Sequence, residues 1–280
     1  VIEARLIRTL ALFFVLALVF GFLQYRWPSI RGQRQRRPGL GMDIFYWFFT
    51  PLVTQMLTLG IAVVILLPFY LLMGRSLDMK DILAGYGPIT QIPLWIQGLM
   101  LIVIGDFFGY WTHRLNHTTH LWKFHAVHHS AETIDWLTAN RIHPVNDIFS
   151  KGIKAIPVML LGFSPIAVEL YTPALTAYIA FTHANVACNY GPFRYVISSP
   201  AFHRWHHEMD KSAWGKNYAG LFPIFDLIFG TFHLPKKEPQ EFGLYGESMK
   251  NNFIDQMLYP FRTWKIARRF QAADELSKVS

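Results

Sequence analysis

Eight histidines of this chain fall into three short groups: His113 with His117, then His125, His128 and His129, then His203, His206 and His207. On a helix, residues i and i+4 share a face and i+3 lies beside them. Each group can therefore aim its imidazoles at one point. Neutral imidazole is a common ligand for iron, zinc, copper and nickel. With 12 histidines in 280 residues, chance yields roughly 0.02 His-x-x-His-His triplets per chain. This chain has two, at 125–129 and 203–207. Eight nitrogens are too many for one tetrahedral ion and suit two ions side by side. The single cysteine, Cys188, excludes an intrachain disulfide and a Cys-based zinc or iron–sulfur site.

The remaining histidines carry less information. His183 stands in an apolar stretch, Phe-Thr-His-Ala-Asn, where an ionisable residue is a functional candidate by default; it is expected to approach the cluster as a ninth ligand. His143, in Arg-Ile-His-Pro, is either a pocket or a loop residue. His120 and His233 have no partner at ligand spacing and are expected to bind nothing. Metal-bound imidazoles need outer partners for their second nitrogen. The candidates are Asp106, on the same helical stripe as Tyr110 and His113, Glu132, three residues beyond His129, and Asn185; Asn140 and Asn189 could serve similarly.

The elements that position these residues read as membrane helices. Charged residues make up 16% of the chain, against about 25% in soluble domains, and mean hydropathy is +0.23. Phe (24), Tyr (12) and Trp (9) are abundant. A disordered chain is excluded and a simple soluble enzyme disfavoured. Uncharged stretches occupy residues 9–25, 44–74 and 82–105, near or above the roughly 20 residues that cross a bilayer. The first is long for a signal-peptide core, and no small-x-small cleavage site follows it. The second is long for one span, which predicts that its first turn tilts or lies at the interface. A fourth apolar region, 155–168 and 170–193, is expected to form a hairpin with Glu169 near its tip. Arg26, Arg31, Arg34, Arg36 and Arg37 outnumber Arg5 and Arg8, so the first loop is assigned to the cytoplasm, and counting spans brings all the histidine groups to that side. Residues 218–234, aromatic and broken by Gly and Pro, suit an interfacial lip. Residues 253–270 read as a basic amphipathic surface helix with Arg262, Lys265, Arg268 and Arg269, followed by a frayed end at 271–280. The net charge of +8 sits mostly beside apolar runs, which favours a membrane surface over nucleic acid.

His-Arg-Leu-Asn-His (113–117), His-Ala-Val-His-His (125–129) and His-Arg-Trp-His-His (203–207) resemble the three histidine boxes of the fatty acid hydroxylase/sterol desaturase superfamily. Asp-Phe-Phe-Gly-Tyr-Trp (106–111) and Phe-Asp-Leu-Ile-Phe-Gly-Thr (225–231) are also similar to that family, and the likeness covers about residues 95–235. It implies an all-α, multi-span membrane bundle with a cytosolic helical cap carrying a His-ligated di-iron centre. It also implies O2-dependent hydroxylation or desaturation of a lipid C–H bond, and makes His183 more plausible as a ligand. Two departures stand out. The chain has no Gly-Gly pair, hence no fused cytochrome b5 His-Pro-Gly-Gly motif; and residues 179 and 187, four away from His183, are Ile and Ala where some relatives carry a second His. The expected metal set is therefore His113, His117, His125, His128, His129, His183, His203, His206 and His207, holding two iron ions (Fe2+/Fe3+) with O2 as co-substrate.

Three parts follow: membrane spans over 1–95, the catalytic region over 96–235 and a basic amphipathic segment over 236–280. Without a Gly-x-Gly-x-x-Gly fingerprint or a Cys set, electrons must come from a separate donor of ferredoxin or cytochrome b5 type with its reductase. Lys211, Lys216, Lys236 and Lys237 are candidates for docking it. A zinc hydrolase would show His-Glu-x-x-His, but position 211 after His207-Glu208 is Lys. A metal transporter would place ligands at the bilayer midplane. Neither alternative explains the spacing as well.

Overall fold

The computed structural model describes residues 2–118 and 120–262. Among these described residues, three helices are long and apolar enough to cross a membrane: Glu3–Arg26, Leu40–Leu72 and Leu94–Asn116. Their outward faces expose Leu18 (77%), Val64 (73%) and Leu72 (84%). Apolar surface on that scale is what a lipid solvent allows, because each helix satisfies its own backbone.

Helix α1 (Ile2–Arg26) buries Leu16 and Phe20 against Trp47, Trp136 and Phe181. The second long helix is not uniform. Its first part, α2 (Leu40–Phe49), buries Asp43, Tyr46 and Trp47, and its second, α3 (Gln55–Leu72), is the exposed apolar rod. Between them the helix widens into a π-turn over Thr50–Thr54. Pro51 has no N–H to donate and crowds the preceding turn, which accounts for the widening. The start of this segment packs through Trp47 against Trp136 and through Tyr46 against Ala126 and Val127.

Short α4 (Met79–Ala84) leads to α5 (Leu94–Asn116). Gly98 of α5 admits the ring of Tyr171; a Cβ there would overlap it. The expected hairpin exists as α7 (Pro144–Leu161) and α8 (Pro165–His183), after α6 (Trp122–His129). Its tip is not at Glu169. Gly162 closes α7 at φ 78°, and Ser164 caps α8 through Ile166 N–H at 3.1 Å with Pro165 in the first turn. Gly past a helix end and Ser-Pro opening the next are stronger punctuation than one carboxylate. Glu169 lies within α8, largely exposed and paired with Arg8 at 2.9 Å.

Beyond α8 the chain forms α9 (Pro200–His206), α10 (Ile224–Ile228) and α11 (Phe253–Arg262). A lone bridge, Glu208 with Phe242, is the β pairing among the described residues. The stretch read as a lip buries Tyr218 and Ala219 beneath Tyr110 and exposes Ile224, Leu227 and Ile228. Of the basic C-terminal helix, Phe253–Arg262 is seen; Lys265, Arg268, Arg269 and residues 271–280 lie outside the described residues.

Candidate metal centre

Nine histidines converge where α5, α6, α8 and α9 end. They form two adjacent groups: His113, His117, His125, His129 and His206, and His128, His183, His203 and His207. Each His-x-x-His-His box is shared between them. Along an α-helix, i+4 lies about 40° from i and i+3 about 60° the other way. His125 and His129 therefore go to one group and His128 to the other; in the last box His203 and His207 pair, and His206 crosses over. The boxes start cleanly: Ser199 caps α9 through Phe202 N–H at 3.1 Å, with Pro200 in the first turn.

All nine meet through Nε2. His113 and His125 approach at 3.1 Å, and His206 lies 3.1 Å from both His117 and His129. In the other group His203 lies 3.1 Å from His183 and 3.2 Å from His207, and His183 lies 3.3 Å from His128. The opposite nitrogens are fixed from outside. Nδ1–H of His113 donates to the Tyr218 carbonyl (2.8 Å), His206 to Lys216 (2.8 Å), His128 to Arg141 (3.2 Å) and His183 to Ile179 (2.8 Å). His125 Nδ1 bonds Asn146 Oδ1 at 3.1 Å.

These partners test whether the site fits a metal. A carbonyl can only accept, so each of those Nδ1 atoms carries the proton and its Nε2 presents a lone pair. Lone pairs about 3 Å apart repel one another and cannot hydrogen-bond. A cation at the centre of each group turns that repulsion into attraction. Metal–imidazole bonds of about 2.0–2.1 Å place neighbouring nitrogens roughly 3.0–3.4 Å apart, the spacing seen. Burial holds the rings in the ligating, neutral form: it pushes His125 down to about 3, and His117, His128, His129, His203, His206 and His207 well below the usual imidazole range, with charge on neighbouring imidazoles adding to the effect. The donor set fits two borderline metal ions.

The expected outer residues do other work. The Asp106 carboxylate accepts the N–H groups of Gly220, Leu221 and Phe222 at 3.1, 2.8 and 2.7 Å. It anchors a loop and leaves the imidazoles to others. Asp226 accepts from Tyr218 and Ala219 N–H, both at 2.8 Å, and from the Thr231 hydroxyl at 2.6 Å. Two carboxylates thus clamp the stretch whose Lys216 and Tyr218 carbonyls hold His206 and His113. Asn217, between them, is fully buried at φ 58°, a kink Asn tolerates better than most residues. Asn185 ties Ile30 N–H (2.8 Å) to Arg204 (2.7 Å), joining the first loop to α9. Glu132 is exposed, lies against Gly243 and belongs to neither metal group. His143 caps α7 through Val145 N–H at 3.1 Å, and belongs to neither group. His120 is exposed, and His233 packs edge-on against Trp205.

Sequence reading passed over Asn146, Asn217 and the ion network behind the second box. Arg141 pairs with Asp43 at 2.6 Å, and Arg37 with Asp43 (2.5 Å) and Asp135 (2.8 Å), all buried. Arg37, a loop charge by sequence, has its side chain buried in this network. Asp226 stands inside the quoted Phe-Asp-Leu-Ile-Phe-Gly-Thr motif, which was its available signal. Nothing in the local sequence marks Asn146 or Asn217.

A cavity of about 470 Å3 opens between α5, α7 and α8. Leu101, Ile102, Leu175 and Ile179 line one part, and His113, His125, His128, His183 and His203 another. On the opposite side a small pocket bordered by Trp122, Trp214, Tyr245 and Tyr259 reaches His117, His129, His206 and His207. The histidines are therefore bordered by a larger, partly apolar cavity and by a small aromatic-edged pocket.

Residues 98–231 match the fatty acid hydroxylase family. Similar proteins include an ornithine lipid hydroxylase OlsE from Rhizobium tropici, 36% identical over 61% of this chain and 52% of its own length. Alkylglycerol monooxygenase from Homo sapiens is 35% identical over 45% of this chain and 28% of its own length. A very-long-chain aldehyde decarbonylase GL1-11 from Oryza sativa subsp. indica is 29% identical over 50% of this chain and 55% of its own. The matched part spans about half the length of these curated relatives, or less. No solved structure matches. Over residues 98–231, on the helices that gather the three boxes, the chain carries a region of the fatty acid hydroxylase/sterol desaturase superfamily.

Proposed function

We propose that the chain is an integral-membrane di-iron oxygenase that hydroxylates a C–H bond of a lipid, using O2 and electrons from a separate carrier. The observation that carries this reading is the convergence of nine neutral Nε2 donors as two adjacent groups, five of the rings lining a partly apolar cavity. In it, His113, His117, His125, His129 and His206 would hold one iron and His128, His183, His203 and His207 the other. Two irons bound there supply activation of O2 and oxidation of an unactivated C–H bond, which side chains alone cannot perform. The protein contributes the rest. Carbonyls of Tyr218, Lys216, Arg141 and Ile179 hold the rings in one tautomer, and the Asp106 and Asp226 clamps keep two of those carbonyls in place. The cavity orients the chain and keeps water from the reacting carbon. Overall, one O2, two electrons, two protons and R–H give R–OH and water.

Hydroxylation is favoured over desaturation because two of the relatives are a lipid hydroxylase and a monooxygenase, both named for polar lipids. The cytoplasmic placement of the site rests on Arg26, Arg31, Arg34 and Arg36 in the first loop, with Arg37 now set aside. The purified chain should carry two irons, and lipid extracts from cells expressing it should gain species heavier by one oxygen. Zinc alone with no oxygenated lipid, under iron-replete expression, overturns the proposal. With O2 and NAD(P)H alone the protein should be inactive, and it should turn over once a ferredoxin or cytochrome b5 with its reductase is supplied.

A further inference from the structure

The cavity has a wall that a lipid-chain channel does not need. On α7, Asn146, Asp147, Ser150, Lys151 and Lys154 all face it. Residues four apart share a helix face, so Asn146, Ser150 and Lys154 form one polar stripe. Most of these groups are already matched. Asn146 bonds His125, Ser150 accepts from Asn116 at 3.0 Å, and Lys151 pairs with Asp147 at 2.8 Å. Asp106, across the cavity on α5, has both oxygens occupied by backbone N–H groups. Lys154 alone among these cavity residues is a cation with no hydrogen bond or ion pair to another described residue. Its charge acts on Asp147, Asp106 and His113, so it sits within electrostatic reach of both the polar wall and the metal groups.

An ammonium group facing an acyl chain would lose its hydration without gaining a hydrogen-bonding partner, at a cost in free energy. An anionic oxygen group offsets that cost. We infer that Lys154 anchors the phosphate or carboxylate of the substrate's headgroup, so that the cavity takes an anionic lipid polar end first. This rests on the lipid-oxygenase reading and narrows it. Asp106, across the same cavity, lies seven residues from His113, about 10 Å along the helix. A headgroup held at that depth leaves the carbons nearest the polar end within reach of the metal groups, and the chain terminus beyond them.

The test uses the full chain purified in detergent, with dioleoyl phosphatidate and dioleoylglycerol as probes of identical chains. Bound lipid is counted by native mass spectrometry. Phosphatidate should bind roughly tenfold more tightly than dioleoylglycerol. Lys154→Met and Lys154→Gln should reduce the preference to within about twofold, and Lys154→Arg should restore most of it, as expected for a charge-assisted contact. Lys250→Met, at an exposed lysine outside the cavity lining, should leave it intact and so excludes general surface attraction. Equal binding of the two lipids by the native chain, or a preference that survives both neutral variants, overturns the anchor. Iron content is read on the same samples. Two irons with the preference unaffected by Lys154 removes the anchor and leaves the oxygenase; a Lys154-dependent preference without iron does the reverse. In turnover, oxygen on the terminal half of the chain also overturns it.

Discussion

At the scale of single residues, the two histidine groups are unequal, and the inequality has consequences. One offers five donors and the other four. Removing one ligand from the larger leaves a complete tetrahedral set; removing one from the smaller leaves three. His128→Ala or His183→Ala should therefore lower iron to about one per chain, whereas His206→Ala should retain closer to two with weaker hold on one. Elemental analysis of the purified variants decides this, and equal losses in both groups would contradict the assignment. His143→Ala removes a helix cap and no donor of either group. It should cost about 1 kcal/mol of stability and leave the iron content unchanged.

Elements are held in register by contacts that look unrelated to metal. The Asp226 carboxylate satisfies two backbone N–H groups and one hydroxyl in a fully buried position. Asp226→Ala strands those donors at about 1–3 kcal/mol each, some of it recovered by water. A loss of roughly 2–4 kcal/mol is expected, seen as a lower unfolding midpoint, and iron should leave the five-donor group first because the Tyr218 carbonyl loses its position. The packing of α5 on α8 offers a second test. Gly98→Ala puts a methyl into the Tyr171 ring and should destabilise the pair, whereas Gly98→Ala in a Tyr171→Ala background should cost less. Additive effects would mean the two helices do not touch there.

For the whole molecule, the buried Asp135–Arg37–Asp43–Arg141 network joins the first loop, α2 and the segment after the second box. Removing one member of such a network leaves charges without partners, and costs about 3–5 kcal/mol. Asp43→Ala should be that severe, and because the Arg141 carbonyl orients His128, iron in the four-donor group should fall with it. Asp43→Asn, which keeps the shape and one acceptor, should lie between. At the same scale, a small acidic electron carrier would meet exposed Lys211, Lys236 and Lys237 near the aromatic pocket on the far side of the centre. Charge reversal there should lower carrier-dependent turnover most at low ionic strength; unchanged salt dependence removes this surface as the dock.

The spacing of the boxes and the polarity of the spans are local properties, and local properties are legible in a sequence. A repeat at i, i+3 and i+4 states which histidines share a helix face, and a long uncharged stretch states that lipid surrounds it. From these alone came an all-α membrane chain and the nine histidines that the fold gathers. Tertiary structure decided how each box is divided between two groups, because that depends on the rotation of α6 and α9 about their axes when packed. It also decided what holds the rings. Four of the outer partners are backbone carbonyls, which every residue has, so no side-chain pattern announces them. Asp106, Glu132 and Asn185 were plausible by position on a helical stripe or near a box. Only the fold showed that Asp106 secures a loop, Asn185 bridges two segments and Glu132 faces outward. Arg37 illustrates the same limit: a lone arginine among loop arginines looks solvated until two carboxylates from distant segments close around it.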